Sequence, residues 1–184
     1  MTARTTLSAL GVAALLAVPV ALSPLGASAQ VAAPQVGNVE LKQPLPYPYD
    51  EAIDNAAVNA QVDAALAKAK KEHKRVLLDF GGNWCGDCRV LAGLVELPQV
   101  HSFLDKNYVM VTVDVGRYTK NMDVPARFGV PKFKGVPTVL VVEADGTLVN
   151  GDASFDLTDA RHMDPQAVVD WLAKWAPPSK TASR

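Results

Sequence analysis

From about Asn55 onward the apolar positions sort into helical and strand spacings. Ala57, Val62, Ala65, Leu66 and Ala69 fall three and four residues apart, which predicts one buried face of an amphipathic helix. Lys68, Lys70, Lys71, Lys74 and Arg75 close it, placing solvated cations at the negative end of the helix dipole. Val76 to Phe80 is then a short apolar run broken only by Asp79, the pattern of a strand buried on both faces. Gly81-Gly82-Asn83 forms a turn, and a second helix opens around Trp84-Cys85-Gly86-Asp87-Cys88 and carries Val90, Leu91, Leu94 and Val95. Pro98 begins a short helix through Leu104, since proline is welcome at a first helical position. Val109 to Val113 and Thr138 to Val142 read as further strands. The polar stretch between them, Gly116 to Lys134, holds one helical piece near Val124 to Phe128. Asp145-Gly146 signals a hairpin into Thr147-Leu148-Val149. Asp164 is the expected N-cap of a last helix with Val168, Val169, Leu172 and Trp175 on one face. Helices alternating with strands imply an α/β fold with a parallel pair, and the tight turn adds an antiparallel edge.

The chain's ends read differently. Arg4, the apolar run Leu7 to Leu22 and Ala27-Ser28-Ala29 compose a secretory signal over residues 1–29, cleaved to leave Gln30 first. The run is shorter than the ~20 residues that span a bilayer, and no cysteine follows it to take a lipid. Residues 30–54, with Pro34, Pro44, Pro46 and Pro48, have no period and read as an extended spacer. The folded domain is expected at 55–176 and a flexible tail at 177–184. The 184 residues suit one such domain. A net charge of −1 leaves no basic footprint for nucleic acid.

The only two cysteines, Cys85 and Cys88, stand three positions apart at the start of a helix. Free backbone N–H groups there stabilise a thiolate on Cys85, and the thiolate is the nucleophile. Cys88, one turn in, is placed to resolve a mixed disulfide formed by Cys85. Three other uses compete. Half a zinc site lacks partners, because His73, His101 and His162 are scattered and no second cysteine pair exists. A static disulfide would close a tiny loop and gain little stability. An inert buried pair fits poorly with a turn rich in glycine beside Trp84.

Asp79-Phe80, Trp84-Cys85-Gly86-x-Cys88, Gly135-Val136-Pro137-Thr138 before a strand, and Gly146 in a hairpin follow one another in an order that resembles the thioredoxin family. The Asp87-Cys88 ending behind an export signal is similar to exported bacterial single-domain members. The resemblance covers about Asn55 to Ala176 and implies the thioredoxin-like fold, a mixed central sheet flanked by helices. It implies a cis peptide before Pro137 facing the cysteines, with Trp84, Val136 and Pro137 as the client-binding surface. It also implies that Asp79, a costly charge in an apolar strand, lies behind Cys88 and relays its proton.

Several positions depart from the family. Asp87 replaces a proline; with Gly86 it is a tuning position, and its partly exposed charge is expected to oppose the thiolate while Arg89 pulls the other way. Gly81 replaces a tryptophan, implying a more open surface beside Cys85. Gly93 replaces a helix-kinking proline. Met110 replaces a lysine that partners the buried aspartate. Gly116–Lys134 exceeds the family's length and reads as a solvent loop, or else as a lip bearing Arg117, Tyr118 and Asn121.

The expected function is thiol–disulfide exchange on exported proteins, in the reductase direction, by a periplasmic or secreted monomer that contributes to cell redox homeostasis. Its partners are client proteins with disulfides or thiols and a membrane thiol electron donor, because the exterior is oxidising. No cofactor and no metal is expected. The alternatives are a disulfide-donating oxidase, or a non-catalytic module that holds peptides in the groove beside Pro137.

Overall fold

The computed structural model describes Met1 and residues 29–179. The expected signal peptide and its cleavage site fall almost wholly outside the described residues, as does the tail beyond Ser179. Ser179 itself is tied back, its backbone N–H donating to the Ala29 carbonyl at 3.0 Å.

Helix α1 spans Asn55–Glu72. Asp54 caps it by accepting from the Ala57 N–H, satisfying one of the orphan donors of the first turn. His73 ends it in the left-handed region at φ 56°. Strand β1 (Arg75–Gly81) leads into α2 (Gly86–Val95), α3 (Pro98–Asn107, proline in its first turn) and β2 (Tyr108–Asp114). A single helical turn α4 (Asp123–Ala126), strand β3 (Thr138–Val142) and α5 (Pro165–Lys174) complete the fold. Asp164 caps α5 through the Gln166 N–H, as its sequence indicates.

The sheet has three strands in the order β2-β1-β3. Central β1 runs parallel to β2 and antiparallel to β3, with Asp79 opposite Thr112 on one side and Val139 on the other. Alternation along β1 feeds two cores. Val76, Leu78 and Phe80 pack with Val58, Val62, Ala65 and Ala69 of α1. Leu77 packs with Leu91, Leu94, Phe103, Leu104, Val168 and Leu172 from α2, α3 and α5.

Two expectations change. The hairpin at Asp145-Gly146 forms, but its second arm makes only a bridge at Leu148 opposite Val142. The chain then leaves the edge because Asn150 replaces backbone pairing with its side chain. Its amide accepts from the Val141 N–H at 2.9 Å and donates to the Val139 carbonyl at 2.8 Å. The second change is larger. Residues 30–54 are extended but are no detached spacer; they form a strap across the domain. Val31, Ala33, Val36, Val39 and Leu41 pack on the second core. The Arg89 guanidinium donates to the Leu45 and Pro46 carbonyls and lies 4.0 Å from the Tyr47 ring centroid. Gly93 permits this approach, since a Cβ there would stand 3.2 Å from Leu45.

Candidate active site

The turn after β1 delivers Cys85 to the N-cap of α2, in extended backbone, where its sulfur accepts from the Cys88 N–H at 3.2 Å. Cys85 and Cys88 are joined as a disulfide with Cα atoms 5.3 Å apart. Both are buried, Cys88 completely. Across the cleft the Val136–Pro137 peptide is cis, and the Val136 carbonyl oxygen lies 3.4 Å from Cys85 Sγ. Thr138 holds the end of that loop by donating to the Gly135 carbonyl at 2.6 Å. The sequence motifs at residues 84–88 and 135–138 therefore meet at one sulfur.

Trp84 stands at the rim, 40% exposed, its indole N–H donating to the Gly116 carbonyl at 2.6 Å. Arg117 lies 4.7 Å from its ring centroid and Tyr118 packs edge-on to it. Tyr118 in turn meets Phe133, and Phe133 meets Phe80 of the core. The Gly116–Lys134 stretch is thus a packed lip rather than a solvent loop. Asn121 is not one of its outward contacts: it is buried and donates to the Asp114 carbonyl at 2.8 Å.

Asp87 is buried, not exposed. Arg161, in a short 3-10 turn before α5, pairs with its carboxylate at 3.2 Å and donates its backbone N–H to it at 3.1 Å. Arg89 points away to the strap. The charge expected to oppose the thiolate is therefore balanced by a residue 74 positions distant in sequence. Arg161 also closes over Gly86, whose missing Cβ would sit 3.3 Å from its guanidinium.

Asp79, two residues before Gly81 on β1, is 1% exposed. Burial pushes its carboxyl up from 3.8 to about 7, against the downward pull of one hydrogen bond. The donor is the Tyr49 hydroxyl, 2.9 Å away on the strap, and the other carboxyl oxygen has no protein partner. Burial first, and then the Asp79 charge, push the phenol well above its ordinary value, so Tyr49 stays protonated as a donor. Gly81 does not open the surface: a Cβ there would clash with the Tyr49 hydroxyl and stand 2.8 Å from Cys88 Sγ. Met110 lies opposite Leu77, and Thr112 takes the position opposite Asp79.

Sequence reasoning missed Tyr49 and Arg161. The apolar content of the strap, Val36, Val39, Leu41, Leu45, Tyr47 and Tyr49, was the available signal that it packs. Nothing local marks Arg161.

The comparisons with known proteins agree with this geometry. Residues 56–144 match the family model described as thioredoxin-like. A disulphide isomerase from Xylella fastidiosa Temecula1 is 37% identical, with a TM-score of 0.65, covering 71% of this chain and 97% of that one. A thioredoxin H-type from Chlamydomonas reinhardtii is 53% identical over 34 residues, 18% of this chain and 30% of its own length. The thiol:disulfide interchange protein DsbD of Neisseria meningitidis serogroup B is 35% identical over 98 residues, 51% of this chain and 15% of its own length. The chain thus spans less than a third of those two relatives. Fold and site define a thioredoxin-like disulfide oxidoreductase with a redox-active Cys85–Cys88 pair, and the chain belongs to the thioredoxin-like family.

Proposed function

We propose that this protein catalyses thiol–disulfide exchange on exported proteins in the reducing direction, as a periplasmic or secreted monomer recharged by a membrane thiol donor. The observation that carries the reading is Cys85 Sγ at the N-terminus of α2, 3.4 Å from the Val136 carbonyl at the cis-proline edge. An extended client strand bonding to the Val136 backbone would bring its own sulfur to that thiolate, and Trp84 and Pro137 would shape the contact. Cys85 attacks, Cys88 resolves, and Asp79 takes the proton that Cys88 must lose. The signal-like N-terminus supports the exported location.

The direction rests on charge. No cation stands between the cysteines, and Arg161, which closes over Gly86, is paired with Asp87. The thiolate therefore has the helix end as its main stabiliser, without the added cation of a strong oxidant. This favours a potential nearer about −270 mV than about −120 mV. Equilibration with glutathione buffers tests it: a value above about −150 mV would replace this reading with the oxidase one. Trapping tests the roles. Cys88→Ser should accumulate mixed disulfides with clients and Cys85→Ser almost none; equal trapping by both would reverse or erase the assignment.

A further inference from the structure

The Asp79 carboxyl is held by a residue that lies outside both the expected domain and the family match at 56–144. Tyr49 is itself firmly placed. Its backbone N–H donates to Asn83 Oδ1 at 3.2 Å, and Asn83 Nδ2 returns a bond to its carbonyl at 2.8 Å, so the turn that carries Cys85 also fixes Tyr49. Thr112, opposite Asp79 in the sheet, donates to the neighbouring Pro48 carbonyl at 3.1 Å. The phenol oxygen and Cys88 Sγ then flank the bare Cα of Gly81. The hydroxyl bonded to Asp79 thus sits beside the resolving sulfur.

We infer that Tyr49 is a positioning residue for the resolving step, its hydroxyl holding the Asp79 carboxyl beside Cys88 and setting the pH at which that carboxylate accepts the Cys88 proton. The inference rests on Asp79 being the base proposed above. In the step, Cys88 gives its proton to Asp79 and its sulfur attacks Cys85 Sγ of the mixed disulfide. The Cys85–Cys88 bond forms as the Cys85–client bond breaks. The electron pair leaves on the client sulfur, which takes a proton from water. The cysteine pair is oxidised and the client disulfide reduced.

A neutral phenol suits this task better than a cation would. A lysine against a buried carboxylate would hold it ionised and weakly basic. A phenol stabilises the anion by one hydrogen bond only, leaving burial to bring the carboxyl near neutrality, where a base works best. Among the described residues, the other charged or titratable groups facing the pair include Cys85 and Cys88 from the start of α2 and Asp114 from the end of β2. The Asp114 carboxylate raises the phenol further and is itself 3.5 Å from Lys120 Nζ. Among the described residues no basic side chain bonds to Asp79.

The test uses the full-length reduced protein and an aromatic disulfide that releases a coloured thiolate twice, first when Cys85 attacks and again when Cys88 resolves. Tyr49→Phe keeps the ring and removes the donor. The second release should slow about fivefold at pH 7 and about tenfold well below it, and its pH limb should move up by about one unit, as loss of one hydrogen bond to a charged group implies. The first release should keep its profile. The infrared carboxylic-acid band of Asp79, assigned by its loss in Asp79→Asn, should titrate upward by the same amount. Tyr49→Phe added to Asp79→Asn should change nothing further. If Tyr49→Phe moves neither the limb nor the band while Asp79→Asn still slows resolution, the Tyr49 inference falls and Asp79 stands as the base. If the band moves and the limb does not, or if Asp79→Asn resolves at the wild-type rate, Asp79 is not the base and both readings fall.

Discussion

The two sides of the Cys85–Cys88 disulfide are built from different materials. The outer side offers the Val136 carbonyl, the exposed Trp84 ring and the Asp87–Arg161 pair, whose arginine side chain is 55% exposed. The inner side consists of Cys88, Asp79, Tyr49 and the bare Cα of Gly81, all buried. Charge outside is screened by water and salt over about 8–10 Å, whereas charge inside acts at low effective dielectric. Attack at Cys85 should therefore answer to shape and backbone geometry, and resolution at Cys88 to protons.

The sharpest test of the inner side is stability against pH. The Asp79 carboxyl titrates near 7 in the fold and near 3.8 unfolded. Between those values the folded chain keeps a proton that the unfolded chain releases, so stability falls as pH rises through the window and levels off above it. A shift of this size corresponds to a loss of up to about 4 kcal/mol, which Asp79→Asn should abolish. Urea midpoints from pH 3 to 9 check this, and equal slopes in the two proteins would mean that the inner side is wetter than described.

Gly81→Val forces a side chain against Tyr49 and Cys88; overpacking of this kind should cost about 1–3 kcal/mol, read from the same midpoints. On the outer side, Arg161→Met leaves the Asp87 carboxylate buried without its cation. The Cys85 thiolate should then be disfavoured and the potential should fall by about 30 mV, one tenfold change in the glutathione equilibrium. An unchanged potential would show that the Asp87–Arg161 pair contributes nothing to the sulfur's field. Smallest of all, Trp84→Ala should weaken client capture a few-fold, with the second-release rate unchanged. An altered resolving rate would mean that the two sides are coupled.

Elements with a strong local pattern could be read before the fold was known. The α1 face from Val62 to Ala69, the β1 run and the Asp164-Pro165 start of α5 each declare themselves within a few residues, although at the start of α1 the buried residue is Val58 and not the expected Ala57, which is exposed. The cysteine pair and Val136-Pro137 were legible because each carries its chemistry in a short motif. What stayed hidden depends on partners far along the chain. Asp87 reads as exposed until Arg161 is folded over it, and Gly81 reads as open space until Tyr49 fills it. The strap misled because proline-rich extended backbone looks the same whether it is solvated or packed. Its hydrogen bonds go to side chains such as Gln166 and Asn83 instead of a ladder, and no periodicity records that.

The strap separates the unit that folds from the unit that reacts. A fragment cut at Asn55 keeps every strand and every helix of the described residues and both cysteines, and by those measures is whole. It would nonetheless carry an orphaned carboxyl at Asp79 and a vacancy the size of a phenol ring beside Cys88. Chimeras that replace everything before Asn55 inherit the same defect. Modularity here has to be counted from the residues that pack against the cysteines, and Tyr49, which precedes the domain, is one of them.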